Sequence, residues 1–130
     1  MKQYQPHTAV QTVERIEDRP GDPWVAYSNF LEDWHFNVED KLSLIGIAPE
    51  PTSSVGQRWT SLLAASIETL CVRESLAVPD WAMDPKWNLA EPWCLYENAS
   101  PKLVQWAKEV SSPEFLRRNI WTSPSVVERT

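Results

Sequence analysis

Glycine is scarce in this chain: Gly21, Gly46 and Gly56 are the only three, and each stands alone. Tight β-hairpins lean on glycine, and a phosphate-cradling loop needs several glycines close together. Neither feature fits here. Cysteine is as sparse, with only Cys71 and Cys94. Two thiols do not make a zinc site without histidine, and His7 and His35 stand in no ligand-like spacing. No apolar run approaches the eighteen or so residues of a membrane span. The opening MKQYQPHTAV lacks the apolar core of a signal peptide. A soluble, cytoplasmic protein with no membrane partner is the expectation.

Positive charge is also in short supply. Twelve Lys and Arg face eighteen Asp and Glu, for a net charge of −6 and a pI near 4.9. Duplex DNA is bound mainly by neutralising phosphates, and the densest basic cluster is the pair Arg117-Arg118. Nucleic acid is therefore not expected as the principal ligand. An acidic balance suits solubility or a basic partner.

What the chain does have is tryptophan and proline, with eight and eleven residues. The stretch Val78 to Trp93, VPDWAMDPKWNLAEPW, sets Trp81, Trp87 and Trp93 six residues apart, each within two residues of a proline. Six residues on a helix is a rotation of about 600°, so the three rings cannot share a helical face. Prolines at this density also forbid a continuous helix or a central strand. The expectation is an ordered, irregular clasp whose rings fasten it to the helices on either side. An aromatic surface for a peptide or protein is the other reading.

Helix signals surround the clasp. Ala9, Val10, Val13 and Ile16 have a loose helical spacing, so residues 1–21 read as an N-terminal arm, flexible or a short helix. Asp22-Pro23 is an N-cap followed by proline at the first helical position. Trp24, Tyr27, Leu31 and Trp34 then follow on one face. That helix should reach about Phe36, with a continuation through Val38, Leu42 and Ile45 to Gly46 left open. Thr52, Ser53 and Ser54 offer caps for a helix carrying Val55, Trp59, Leu62, Leu63, Ile67, Leu70 and Cys71, ending by Ala77 before Val78-Pro79.

Beyond the clasp, Ser100-Pro101, Ser112-Pro113 and Ser123-Pro124 repeat one punctuation mark, a capping residue and then proline. Leu103, Val104, Trp106, Ala107 and Val110 fit a helix after the first. Glu114, Phe115 and Leu116 fit a shorter one, Ile120-Trp121 an extended link, and Val126-Val127 a final turn. The fold class expected is all-α, a compact bundle of about five to six helices joined by Pro/Trp-rich irregular segments. Residues 22–130 read as a single helical domain.

No catalytic constellation emerges. The sequence has no nucleophile elbow and no HExxH. The most chemical-looking cluster is Asp33, His35, Glu39 and Asp40, where a carboxylate could favour the charged imidazole. The same composition describes a solvated helix flank. The expectation is a binding or scaffolding protein, with no catalytic residue, metal or cofactor, and an enzyme built around His35 as the outlying alternative.

Several motifs taken in order resemble a known pattern. They are the Ala- and Leu-rich helix of Leu62 to Leu70, then Pro79-Asp80-Trp81, then Pro92-Trp93. Ser112-Pro113-Glu114-Phe115-Leu116-Arg117-Arg118 and Ile120-Trp121-Thr122-Ser123 follow. From about Val55 onward the chain resembles the helical, non-DNA-binding region of bacterial antitoxin-like and transcriptional-regulator proteins encoded beside nucleotidyltransferase-like toxins. Residues 1–50 depart from such regulators, being acidic and aromatic where a DNA reader is basic. The resemblance implies a protein-binding module that neutralises a partner toxin by contact, an acidic surface covering a basic one. The contact candidates on this reading are Trp87, Phe115, Arg117, Arg118 and Trp121. For Phe115 core packing competes with that role, and for the two arginines a helix C-terminus does. A structural or adaptor protein that forms a homo-oligomer through its tryptophans remains the alternative.

Overall fold

The computed structural model describes residues 5–96 and 98–128. Within them the chain is mostly helical, with six α-helices, short 3-10 turns and a two-stranded sheet. Its contacts divide it into two compact units, one ending at Leu63 and one spanning Ala64–Glu128. The division falls inside a helix.

In the first unit, α1 (Ala9–Asp18) is closed by a capping box in which Thr8 and Gln11 satisfy each other's backbone N–H groups. The helix is no loose arm, because Ala9, Val13 and Ile16 are buried. Helix α2 (Pro23–Glu32) begins at the proline, as the Asp22-Pro23 signal requires, although Asp22 makes no side-chain capping bond. It continues as a π-helical turn over Asp33–Asn37 and stops where Val38 becomes extended. The open continuation to Gly46 is thus resolved as a break, with a separate short helix α3 (Leu42–Ile45). Of the predicted stripe, Tyr27, Leu31 and Trp34 are buried. Trp24 is half-exposed but stands edge-on to Trp59, with ring centroids 4.8 Å apart.

Helix α4 (Ser54–Arg73) runs from the first unit into the second. Every residue from Trp59 to Cys71 is buried, more than the single face its sequence suggested. Its polar residues tolerate this by bonding back along the helix. Thr60 donates to the Gly56 carbonyl at 2.6 Å and Thr69 to that of Ala65 at 2.8 Å. The Glu17 carboxylate of α1 receives the N–H groups of Thr52 (2.8 Å) and Ser53 (2.7 Å) ahead of α4. A side chain at position 56 would overlap that carboxylate, which accounts for Gly56.

α4 ends four residues before the expected Ala77. Ser75 takes a left-handed conformation, φ 57°, and Leu76 N–H reaches back to the Cys71 carbonyl at 2.8 Å. This is a Schellman ending, for which glycine is the usual signal.

The second unit holds the clasp and the C-terminal helices. The clasp is irregular, as expected: two 3-10 turns (Asp80–Met83 and Pro85–Trp87) and then β1 (Trp93–Cys94). The Trp87 indole N–H donates to the Trp81 carbonyl at 2.9 Å, so that ring ties the clasp to itself. Each Ser-Pro pair starts a helix at its proline: α5 (Pro101–Val110), α6 (Pro113–Leu116) and a last 3-10 turn (Pro124–Val127). Ile120-Trp121 is extended as predicted, and as β2 it pairs in parallel with β1, Trp93 opposite Ile120.

The end of α5 is held to β2 by one buried hydroxyl. Ser111 Oγ donates to the Ala107 carbonyl at 2.6 Å and accepts the Thr122 N–H at 2.9 Å. Ser111→Ala leaves that buried N–H without a partner. A loss of about 1–3 kcal/mol is expected in urea unfolding; a loss within error of zero would show that the N–H finds another acceptor.

Candidate protein-binding surface

Placing the five sequence-derived contact candidates separates them. Trp87, Phe115 and Arg118 are buried, at 4%, 0% and 1% exposure, and present no surface to a partner. Phe115 packs in the core. Arg118 is the centre of an internal ion cluster: it donates to Glu68 at 2.8 Å and to the carbonyls of Glu114 (2.6 Å) and Ala82 (2.7 Å). Arg117 joins from the outer side, donating through one nitrogen to both Glu68 oxygens at 2.7 and 2.9 Å. Burial lowers the Arg118 pKa, and the Glu68 hydrogen bond opposes that only in part. The Glu68 hydrogen bond raises the Arg117 pKa. This pair serves the fold first. Trp121 is partly exposed, with the Lys108 ammonium 5.2 Å from its ring centre, a cation–π contact.

One apolar surface that does face outward lies on α5. Pro101 fixes its first turn, and Ser100 accepts the Leu103 N–H at 3.3 Å. Ala107 is buried on one side of the helix, and the adjoining arc carries Leu103, Trp106 and Val110 at positions i, i+3 and i+7. Leu103 is 38% exposed and Trp106 is 45% exposed. The apolar arc of α5 is thus wider than the face the unit covers.

Trp106 is also held in place. The Tyr96 ring lies 6.0 Å from it at an interplanar angle of 41°. The Tyr96 hydroxyl in turn accepts the Ser123 N–H at 3.1 Å. An aromatic anchor fixed before contact has less side-chain freedom to lose on binding. Helices that dock into grooves present anchors at this spacing. Sequence reasoning assigned Trp106 to the helix but did not select it. The available signal was the breadth of the arc over Leu103, Val104, Trp106, Ala107 and Val110.

Of the Asp33, His35, Glu39 and Asp40 cluster, Asp33 is buried and Glu39 and Asp40 are exposed. Asp33 turns instead to His7, whose Nδ1 and backbone N–H lie 2.6 and 2.7 Å from one Asp33 oxygen. Cys71 is buried, and burial together with the neighbouring Glu74 carboxylate pushes its pKa up to about 11. It stays a thiol at neutral pH. Among the described residues, no group of three His, Cys, Asp or Glu side chains is placed to hold a metal ion. No helix among them is long and apolar enough to cross a membrane. No protein-family model, curated protein or solved structure matches the chain.

Proposed function

We propose that the chain is a protein-binding module that acts by covering a partner's surface, with α5 as its docking helix. The observation that carries this reading is the half-exposed Trp106, with the Tyr96 ring beside it, in line with Leu103 on one helical face. The occupant is a basic protein with an apolar groove, since the chain is acidic overall at −6. Opposite charge steers such an encounter, and the apolar anchors hold it.

In its specific form the reading is that of an antitoxin, as the motif order from Val55 onward implies: the partner is a toxin of nucleotidyltransferase-like kind, silenced by contact. The test is coexpression. A toxin encoded beside this chain arrests growth alone, and growth returns when wild-type chain is supplied in stoichiometric complex with it. A chain recovered only as its own oligomer would replace this reading with the homo-oligomer one.

A further inference from the structure

Where the end of α1 meets the start of α2, the first unit contains a cleft of about 340 Å³ lined by Arg15, Asp18, Arg19, Asp22, Val25 and Asn29 over the buried Ala26. Its size is at the small end of ligand pockets. None of its four charged side chains makes an ion pair or side-chain hydrogen bond among the described residues. Two groups of each sign therefore face one concavity without neutralising one another.

Of these four charges, one runs against what helix stability favours. Arg15 lies in the last turn of α1 and Arg19 caps it, both where the helix dipole favours a cation. Asp18 is the last residue of α1, where the helix dipole disfavours a carboxylate. We propose that the cleft binds a small zwitterion of amino-acid size. Arg15 and Arg19 take its carboxylate, Asp18 and Asp22 its ammonium, and Val25 and Ala26 supply the apolar wall. Guanidinium pairs suit a planar carboxylate, which they hold with parallel hydrogen bonds. The cleft belongs to the first unit and the α5 face to the second, and this inference does not depend on the protein-binding role.

The test is a ¹⁵N NMR titration of the full chain with glycine, L-glutamate and L-lysine, against acetate and methylamine as single-charge controls. At least one of the three zwitterions should saturate shifts in amides of residues 15–29 below about 10 mM, with the controls roughly tenfold weaker or more. Arg15→Gln combined with Arg19→Gln should weaken that binding by roughly tenfold or more. Asp18→Asn should weaken it while leaving the melting temperature equal or higher, because an unfavourable helix-end charge is removed. Because Asp18→Asn does not threaten the fold, it decides the matter even if the arginine variant fails to fold. No saturable shift from any of the three, equal binding of the controls, or undiminished binding by Asp18→Asn would overturn the proposal.

Discussion

Glu68→Ala is expected to cost about 3–5 kcal/mol, because it strands the Arg118 guanidinium inside the fold without its counter-charge. Arg118 has a side chain 2% exposed, and its Nε already lacks a partner. Glu68 is the carboxylate bonded to both arginines, so nothing at that position could take over. Glu68→Gln keeps one acceptor and should lose less. Acid should produce the same weakness reversibly. Burial pushes the Glu68 carboxyl up, but hydrogen bonds from Arg117 and Arg118 more than offset this and leave its pKa lowered. A carboxyl with a lowered folded pKa contributes stability in full above its unfolded value. That contribution fades below about pH 4.5, as the pH falls toward and through the folded value. Urea unfolding of wild type and Glu68→Ala at two pH values measures both effects. The gap between them should be wide at neutral pH and narrower in acid. A gap under about 1 kcal/mol at neutral pH would reduce the cluster to a surface-type ion pair.

Trp34→Ala should be comparably severe in the first unit, at about 3–5 kcal/mol. Trp34 is fully buried on the π-helical turn, with the Phe30 ring 6.3 Å away and the Lys41 ammonium 5.3 Å over its face. A π-turn rotates the residues that follow it relative to a regular helix, so the same turn that buries Trp34 leaves Phe36 at 68% exposure. Truncating the ring opens a cavity under the end of α2. Hydrogen exchange should quicken at the amides of α2 and the π-turn, alongside the loss seen in urea unfolding. Unchanged protection there would mean that the ring is not what holds the turn.

Local chemistry made much of this fold legible. Each proline that followed a serine at the N-cap position, at Pro101, Pro113 and Pro124, starts a helical element, because it fixes φ and forfeits only an N–H that would go unused, even though Ser112 makes no side-chain capping bond. Proline density likewise marked the clasp as irregular. What was not legible depended on distant partners or on unusual backbone. Strands of two residues carry no periodicity, so the pairing of Trp93-Cys94 with Ile120-Trp121 left no trace in the sequence. Ser75 and Asn119 adopt positive φ where glycine would have signalled a turn. The joining of His7 to Asp33 links residues with no local relation.

The candidate surface was legible in the same partial way. Trp87, Phe115 and Arg118 have the residue types of interface anchors, yet the fold consumes them. Trp106 reads as core by its spacing. It emerges at the surface because the unit covers α5 only on the side of Ala107 and Ser111.

The affinity of a Trp106→Ala variant for the partner tests most directly whether α5 is the docking face. Titration calorimetry against the purified partner should show a loss of at least about 2 kcal/mol, roughly thirtyfold in Kd, as for an interface hot spot. The melting temperature of the variant should stay near that of wild type, since the ring is half in solvent. A variant that folds normally and binds with undiminished affinity would contradict the assignment.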